Sequence, residues 1–325
     1  MVHPVKPFVA ALAGTLAFVS ALIATAEAQQ YPTRPVKVIV GFAAGSGPDV
    51  LARTVSAQLG TDLGQNFFVE NRTGANGTIG ISAVVQSPPD GHTLLFSSSS
   101  ITPVPFVSKN VSFDILRDLK PIASVGILDG YLLLVHPSTP VHTVPEFIEY
   151  AKKSRMLYGS PGVGNSLHLV TELFKKHTGI PVEHIPYKGA SEVQTALLGQ
   201  SIHFMFVTPP SVLAVTKAGT LRAIGYTGSK PFPDLPNVPL VKNTLPDFSV
   251  SGSWGMFFAP AQTPDAIVNQ LNAAVQKALT APAVVNVVQR SGYVPDGRSA
   301  AQTAQFFREE VEAAGVAVRA AGIAQ

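Results

Sequence analysis

The sequence contains no cysteine. That excludes a disulfide framework, a thiol nucleophile, cysteine-ligated zinc and a lipoprotein anchor, whose lipid needs a cysteine at the cleavage site. Charge is scarce as well. Only 13% of the 325 residues are Asp, Glu, Lys or Arg, and the formal net charge is +3. The bases form no runs, so no nucleic-acid partner is expected. The G-x-S-x-G elbow, the H-E-x-x-H pair and the Gly-Lys-Ser/Thr of a P-loop are missing too. The histidines are scattered without metal-ligand spacing. No catalytic residue, metal or cofactor is expected.

Long apolar runs are absent with one exception. Phe8 to Thr25 is uninterrupted by charge, is preceded by Lys6, and is followed by Ala26-Glu27-Ala28. A short basic start, an apolar stretch and a small-x-small site predict a signal peptide over residues 1–28, cleaved after Ala28. A chain of this length buries about 75% of its unfolded surface without disulfides and is long enough for two domains.

Strand and helix patterns alternate along the rest. Val36–Val40, Phe67–Val69 and His92–Phe96 read as strands, with helices at Val50–Leu59 and Ile79–Gln86 between them. A second unit begins near Tyr131. It has strands at Tyr131–Val135, Met156–Tyr158, Val182–Pro186 and Ile202–Val207, and helices at Val144–Lys153, Leu167–Thr178 and Glu192–Leu198. Pro231–Pro239 reads as a loop and Trp254–Phe258 as a strand. Ala-rich helices at Pro264–Leu279 and Ala300–Val318 close the chain. The order predicts an α/β protein of two domains, each a mainly parallel sheet flanked by helices, with a cleft between them. The closing helices need a sheet to cover, and the first unit has few helices of its own. The expected domains are therefore 29–130 with 252–325, and 131–251, the chain crossing twice.

Two glycine-rich turns join strand to helix, one in each unit: Gly41 to Asp49, and Ser160 to Ser166. Glycines let backbone approach a ligand, and the N–H groups and dipole of the following helix favour an anion. In open sheets ligands sit at the carboxyl ends of strands. One such turn in each of two facing domains makes an anion clamp, built from Phe42, Ala43, Ala44, Gly45 and Ser46 on one side and Ser160, Gly162, Gly164, Asn165 and Ser166 on the other. A dinucleotide fingerprint fails, because Val50 stands where the third glycine belongs. Asp49 lies in a first helical turn four residues before Arg53, a position for capping and an i,i+4 pair as well as for ligand contact. His168 falls in a first turn where a cation is disfavoured, which predicts a neutral, hydrogen-bonded imidazole. Backbone cannot choose among anions, so choice falls to side chains at other strand ends: Asn76, Ser98, Tyr187 and Thr208.

These residues carry a family resemblance. Tyr31 to Gly45 with Asp49 and Ala52-Arg53, Val69 to Gly77, Pro89 to Leu95, Gly162 to Leu169, Pro186 to Ala190 and Leu235 to Pro239 occur in an order that resembles the tripartite tricarboxylate transporter substrate-binding (Bug-type) proteins over essentially the whole mature chain. The resemblance implies a two-domain, type II-like Venus-flytrap receptor in the bacterial periplasm. It implies a small organic carboxylate held through two ordered waters by the loops of both domains. It further implies, as partners of a monomeric receptor, the large and small membrane subunits of a secondary carrier. A sensory subunit reporting the same ligand to a histidine kinase is the alternative. Gly41, Ser46, Thr73 and Asn76 depart from the usual Pro, Gly, Pro and Gly, and Ser46 and Asn76 add polar groups beside the expected pocket.

Overall fold

The computed structural model describes residues 31–108, 111–250 and 252–324. The expected signal peptide and its cleavage site lie outside them. From Arg34 onward the chain forms one compact unit that contains two sheets, each with its own helices; we call each sheet with its helices a lobe.

The first sheet has six strands in the order β11-β4-β10-β3-β1-β2. They are β1 (Val36–Val40), β2 (Phe67–Asn71), β3 (Thr93–Ser98), β4 (Leu119–Ile127), β10 (Trp254–Pro260) and β11 (Val294–Pro295). The second has five, in the order β7-β6-β8-β5-β9: β5 (Leu132–Val135), β6 (Met156–Ser160), β7 (Val182–Pro186), β8 (Phe204–Val207) and β9 (Arg222–Tyr226). The longer helices are α1 (Gly47–Leu63), α2 (Thr78–Val85), α4 (Val144–Lys153), α5 (Ser166–Thr178), α6 (Ala190–Leu198), α8 (Asp265–Ala278), α9 (Pro282–Arg290) and α10 (Ala300–Ala321). Short helices α3 (Val104–Val107) and α7 (Leu213–Lys217) complete the set.

Strands covered on both faces need apolar residues on both. In β5, Leu133 and Val135 enter one core cluster with Phe147, Tyr158 and Phe174. Leu132 and Leu134 enter another with Met205, Leu197 and Tyr226, as the two-residue period of a strand requires. In the first sheet all seven residues of β10 are buried. Trp254 and Phe258 there join Phe307 of α10 and Ile39 of β1 in one core.

The expectation of mainly parallel sheets needs correction. Parallel pairing holds for β2-β1-β3 and β7-β6-β8, but β10 pairs antiparallel with β3 and β4, and β5 with β8 and β9. The reversed strands are β5 and β10, each the first strand after a passage between sheets, and the two-residue β11 on β4. A strand that arrives from the other lobe is not returned by a helical crossover, so nothing obliges it to run parallel. The chain passes between sheets twice, after β4 and before β10, and α8 and α10 pack back on β4 of the first sheet. Unexpected strands are β4, β9 and the two-residue β11. In β4, Pro121 cannot donate to a ladder, and it sits where the pairing with β10 is irregular, opposite Phe258.

Candidate functional site

The first loop follows β1 and enters α1 through Ser46, whose extended backbone (φ −68°, ψ 160°) makes it the N-cap, although its side chain makes no capping bond. Asp49 is buried, and protein donors engage both its oxygens. Oδ2 accepts the Gly45 N–H at 2.8 Å and Oδ1 the Asn71 Nδ2 at 2.7 Å, while Arg53 Nε lies 3.0–3.1 Å from both. Asn71 also donates to the Phe42 carbonyl at 3.0 Å. Burial raises the Asp49 pKa, but the hydrogen bonds from Arg53, Gly45 and Asn71 outweigh it and hold the carboxyl below its ordinary range. Asp49 thus fixes the loop, in the capping role.

The second loop follows β6 and enters α5 through Asn165, whose Oδ1 accepts the Leu167 N–H at 2.9 Å. Gly162 (φ 123°) and Gly164 (φ 80°) adopt the left-handed region that glycine alone enters cheaply. Ser160 Oγ donates to the Gly162 carbonyl at 3.0 Å and meets His184 Nε2 at 2.7 Å. The Gly164 N–H donates to His168 Nδ1 at 3.1 Å. The two imidazoles stack with centroids 4.1 Å apart. Burial above all lowers both pKa values to about 4, reinforced at His168 by Lys175 and at His184 by the His168 neighbour. His168 is the neutral, hydrogen-bonded group its position predicted.

Residues of the two lobes meet around these loops. Asn76, in a left-handed conformation (φ 56°), donates from Nδ2 to the Val163 carbonyl at 2.6 Å. On the first lobe its turn lies against the first loop, Gly77 backbone facing Gly41. Asn165 Nδ2 donates to Ser100 Oγ at 3.3 Å, and Ser100 Oγ lies 3.3 Å from Ser166 Oγ. A β-carbon on Gly164 would overlap the Val107 side chain. Of the N–H groups in the two loops, those of Gly45, Ser46, Gly164 and Asn165 are engaged by the protein. Those of Ala43, Ala44, Gly162 and Val163 carry no hydrogen bond among the described residues. Nearby cations are occupied or exposed: Arg53 holds Asp49 and Asn71, Arg72 pairs with Glu70 at 2.5 Å, and Lys188 is exposed. The arrangement offers an anion uncharged donors and two helix N-termini.

The remaining expected residues divide. Ser98 is buried, and its hydroxyl bonds Ser100 within its own turn; it is Ser100 that reaches the other lobe. Tyr187 packs its ring against Gly159 beside the second loop. The Thr208 hydroxyl bonds Ser211 at 3.3 Å in a local turn. A buried hydroxyl network was not foreseen. Tyr131 bonds Ser99 and Ser166, Ser99 Oγ lies 3.2 Å from Ser253 Oγ, and Tyr293 bonds Ser253. The serine run at 97–100 was its only signal. Behind Ser166 a cavity of about 180 Å³ opens between α5, α10 and the passages between lobes, lined by Ser99, Tyr131, Leu169, Val250 and Glu310. No residue of the first loop lines it. Among the described residues no three His, Asp or Glu side chains are grouped to hold a metal, and no helix is long and apolar enough to cross a membrane.

Comparison with known proteins follows the same outline. Residues 51–323 match the model of the tripartite tricarboxylate transporter family receptor. The protein BugT of Bordetella pertussis is 33% identical over 318 residues, covering 94% of this chain and 97% of that one. The structure of Rpa4515 of R. palustris with adipate is 30% identical with a TM-score of 0.85, covering 90% of this chain and 99% of the other. That of MatC from Rhodopseudomonas palustris with bound malate is 27% identical with a TM-score of 0.81, covering 89% and 100%. With the periplasmic binding protein BugD the TM-score is 0.83 at 27% identity. The two-lobed architecture is that of periplasmic binding proteins.

Proposed function

The chain belongs to the tripartite tricarboxylate transporter receptor family, and on that premise we propose that it captures a small organic carboxylate between its lobes and releases it unaltered to a secondary carrier. The observation that carries the reading is the convergence of the two loops across Asn76, each with N–H groups that are unengaged among the described residues. Donors of that kind hold a carboxylate through hydrogen bonds strengthened by helix dipoles. Adipate and malate in two structural neighbours are of the same chemical class.

In this reading the protein works in the periplasm after cleavage behind Ala28, as a monomer serving the large and small membrane subunits of a tripartite carrier. The lobes act as domains, 29–130 with 252–325 and 131–251, and close about the two passages. The loop residues Phe42 to Ser46 and Ser160 to Ser166 grip the carboxylate, while Asn76, Ser98, Tyr187 and Thr208 shape the space for the rest of the ligand. The test is a thermal-shift screen of the mature protein against mono-, di- and aromatic carboxylates, adipate and malate included. A ligand that binds only the folded state adds about 2.7 kcal/mol at one hundred times its Kd, which raises the midpoint by roughly 5–10 °C. The amide-capped analogue of the best ligand should give no shift. A full shift with that neutral analogue would refute capture by the carboxylate.

A further inference from the structure

Two histidines sixteen residues apart in sequence share one stack beneath the second loop. His168 is buried, and His184 lies over it with Tyr158 on the same stack, 4.8 Å from His184. Their hydrogen bonds fix their protonation. His168 Nδ1 accepts the Gly164 N–H, so that nitrogen carries no proton and the ring proton is on Nε2. Ser160 spends its own proton on the Gly162 carbonyl, so it accepts from His184 Nε2–H. The groups facing the pair are Glu172 and Lys175 on α5 and Tyr158 on β6. Tyr158 donates its hydroxyl to Glu172, and Glu172 pairs with Lys175 at 3.4 Å. The loop itself, Pro161 to Asn165, brings no titratable side chain, and Asn76, which meets it from the other lobe, is neutral.

The geometry points to the stacked imidazoles of His168 and His184 as positioning residues of the second loop: as neutral rings they fix Gly164 and Ser160, present the Gly162 and Val163 N–H groups to an organic carboxylate, and let go of the loop when acid reaches them. The inference rests on the reading that this loop holds a carboxylate. A proton added to His168 enters at Nδ1, where it faces the Gly164 N–H and ends that bond. A proton added to His184 puts a second charge within stacking distance of the first. His168 is therefore the acid-sensitive member, and its charge holds off protonation of His184. Burial keeps both neutral down to about pH 4.

The experiment compares the wild type with two double variants by hydrogen exchange over residues 159–168, corrected for intrinsic rates, between pH 7 and pH 4. His168→Asn with His184→Gln keeps an acceptor near Nδ1 and a donor near Nε2 but cannot titrate. His168→Leu with His184→Leu removes both bonds. At pH 7 the Asn/Gln pair should exchange like the wild type, and the Leu pair about tenfold faster. Towards pH 4 the wild type should lose that protection and the Asn/Gln pair keep it. Adipate and malate affinities, measured in parallel, should fall more steeply with acid in the wild type than in the Asn/Gln pair; protonation of the ligand is common to both. If the Leu pair does not fold, the wild type and the Asn/Gln pair still decide. Superposable acid profiles for those two, or a Leu pair protected like the wild type, overturn the inference. Failure of the wild type to bind any carboxylate at pH 7 overturns instead the receptor reading, and the exchange profiles still report what the histidines do.

Discussion

The two glycine-rich loops stand in matching places, between a strand and a long helix, yet opposite chemistry holds them. The first is tied by a buried carboxylate to a guanidinium, an amide and a backbone N–H, all within its own lobe. The second is tied by neutral imidazoles, a hydroxyl and an amide cap, and it also rests on the opposite lobe through Asn76, Ser100 and Val107. The first loop's anchoring bonds need nothing from the other lobe. A loop whose contacts come partly from across the cleft is completed by closure. The pair thus divides the work: one half of the clamp is preset, and the other registers closure and acidity.

The largest effect should come from the charged anchor. Asp49→Ala leaves Arg53, Asn71 and the Gly45 N–H without their acceptor, a cost of about 3 kcal/mol, or roughly 6–12 °C in midpoint. Calorimetry should show that loss, and a change under 2 °C would mean the first loop does not depend on its carboxylate. Next come the glycines. Gly45→Ala and Gly164→Ala both place a side chain at positive φ, near +80° in each case, at about 1–2 kcal/mol. Only Gly164 also meets the other lobe, since a β-carbon at Gly45 has nothing within 4 Å whereas one at Gly164 overlaps Val107. Ligand affinity should therefore drop about tenfold more for Gly164→Ala, and Val107→Ala should restore most of the difference. Equal losses for the two glycines would remove the asymmetry of closure.

Acid should separate the lobes in the same way. His168 and His184 titrate near 4 when folded and near 6.5 when unfolded. Between those values the unfolded chain binds more protons, so stability falls as pH drops from about 6.5 to about 4. Asp49 has the same sign in a lower window: its pKa is also lowered, so its contribution persists until pH falls below 3.8. The second lobe should thus weaken while the first loop holds, by about 2 kcal/mol after discounting the half-exposed His184. The chain's single tryptophan, Trp254, is buried in the core of the first lobe. Its fluorescence and the far-UV ellipticity should melt together at pH 7, and ellipticity should begin to fall several degrees earlier at pH 4.5. Coincident curves at both pH values would deny the division.

What could be read from the sequence follows what the local chain determines. Strand β5 is an unbroken apolar run, β1 and β3 are built on apolar runs with Lys37 their one charge, and both glycine loops announce themselves by composition. Strand β4 does not, because Lys120 and Pro121 interrupt it and only the irregular pairing with β10 accommodates the proline. Strand β9 opens on Arg222 and carries Gly225, where a β-carbon would press on Val144 at 2.7 Å. Pairing sense was hidden because it depends on which strands flank a passage between lobes. At the site, the sequence pointed to a capping Asp49 and a neutral His168. It could not show that His184 stacks on His168 from another strand, or that Ser100 rather than Ser98 faces the second lobe. The second depends on the rotation of one turn at the end of β3.

The smallest difference concerns the two helix caps, and it is the sharpest test of the comparison. Asn165 caps α5 through Oδ1 and donates from Nδ2 to Ser100 across the cleft. Ser46 starts α1 without a side-chain cap, and its buried hydroxyl has no hydrogen-bond partner among the described residues. Asn165→Ala should therefore cost about 1 kcal/mol of stability and weaken the ligand as well, because its second bond belongs to the closed form. Ser46→Ala removes no bond within the protein, so its midpoint should move by less than about 2 °C. A buried hydroxyl that caps nothing beside an anion clamp serves the ligand once the loop shifts to uncover it, so Ser46→Ala should lower carboxylate affinity about three- to tenfold. Stability and affinity would then separate at Ser46 and move together at Asn165. A Ser46→Ala protein that binds its carboxylate at full strength would leave the first loop acting through backbone alone.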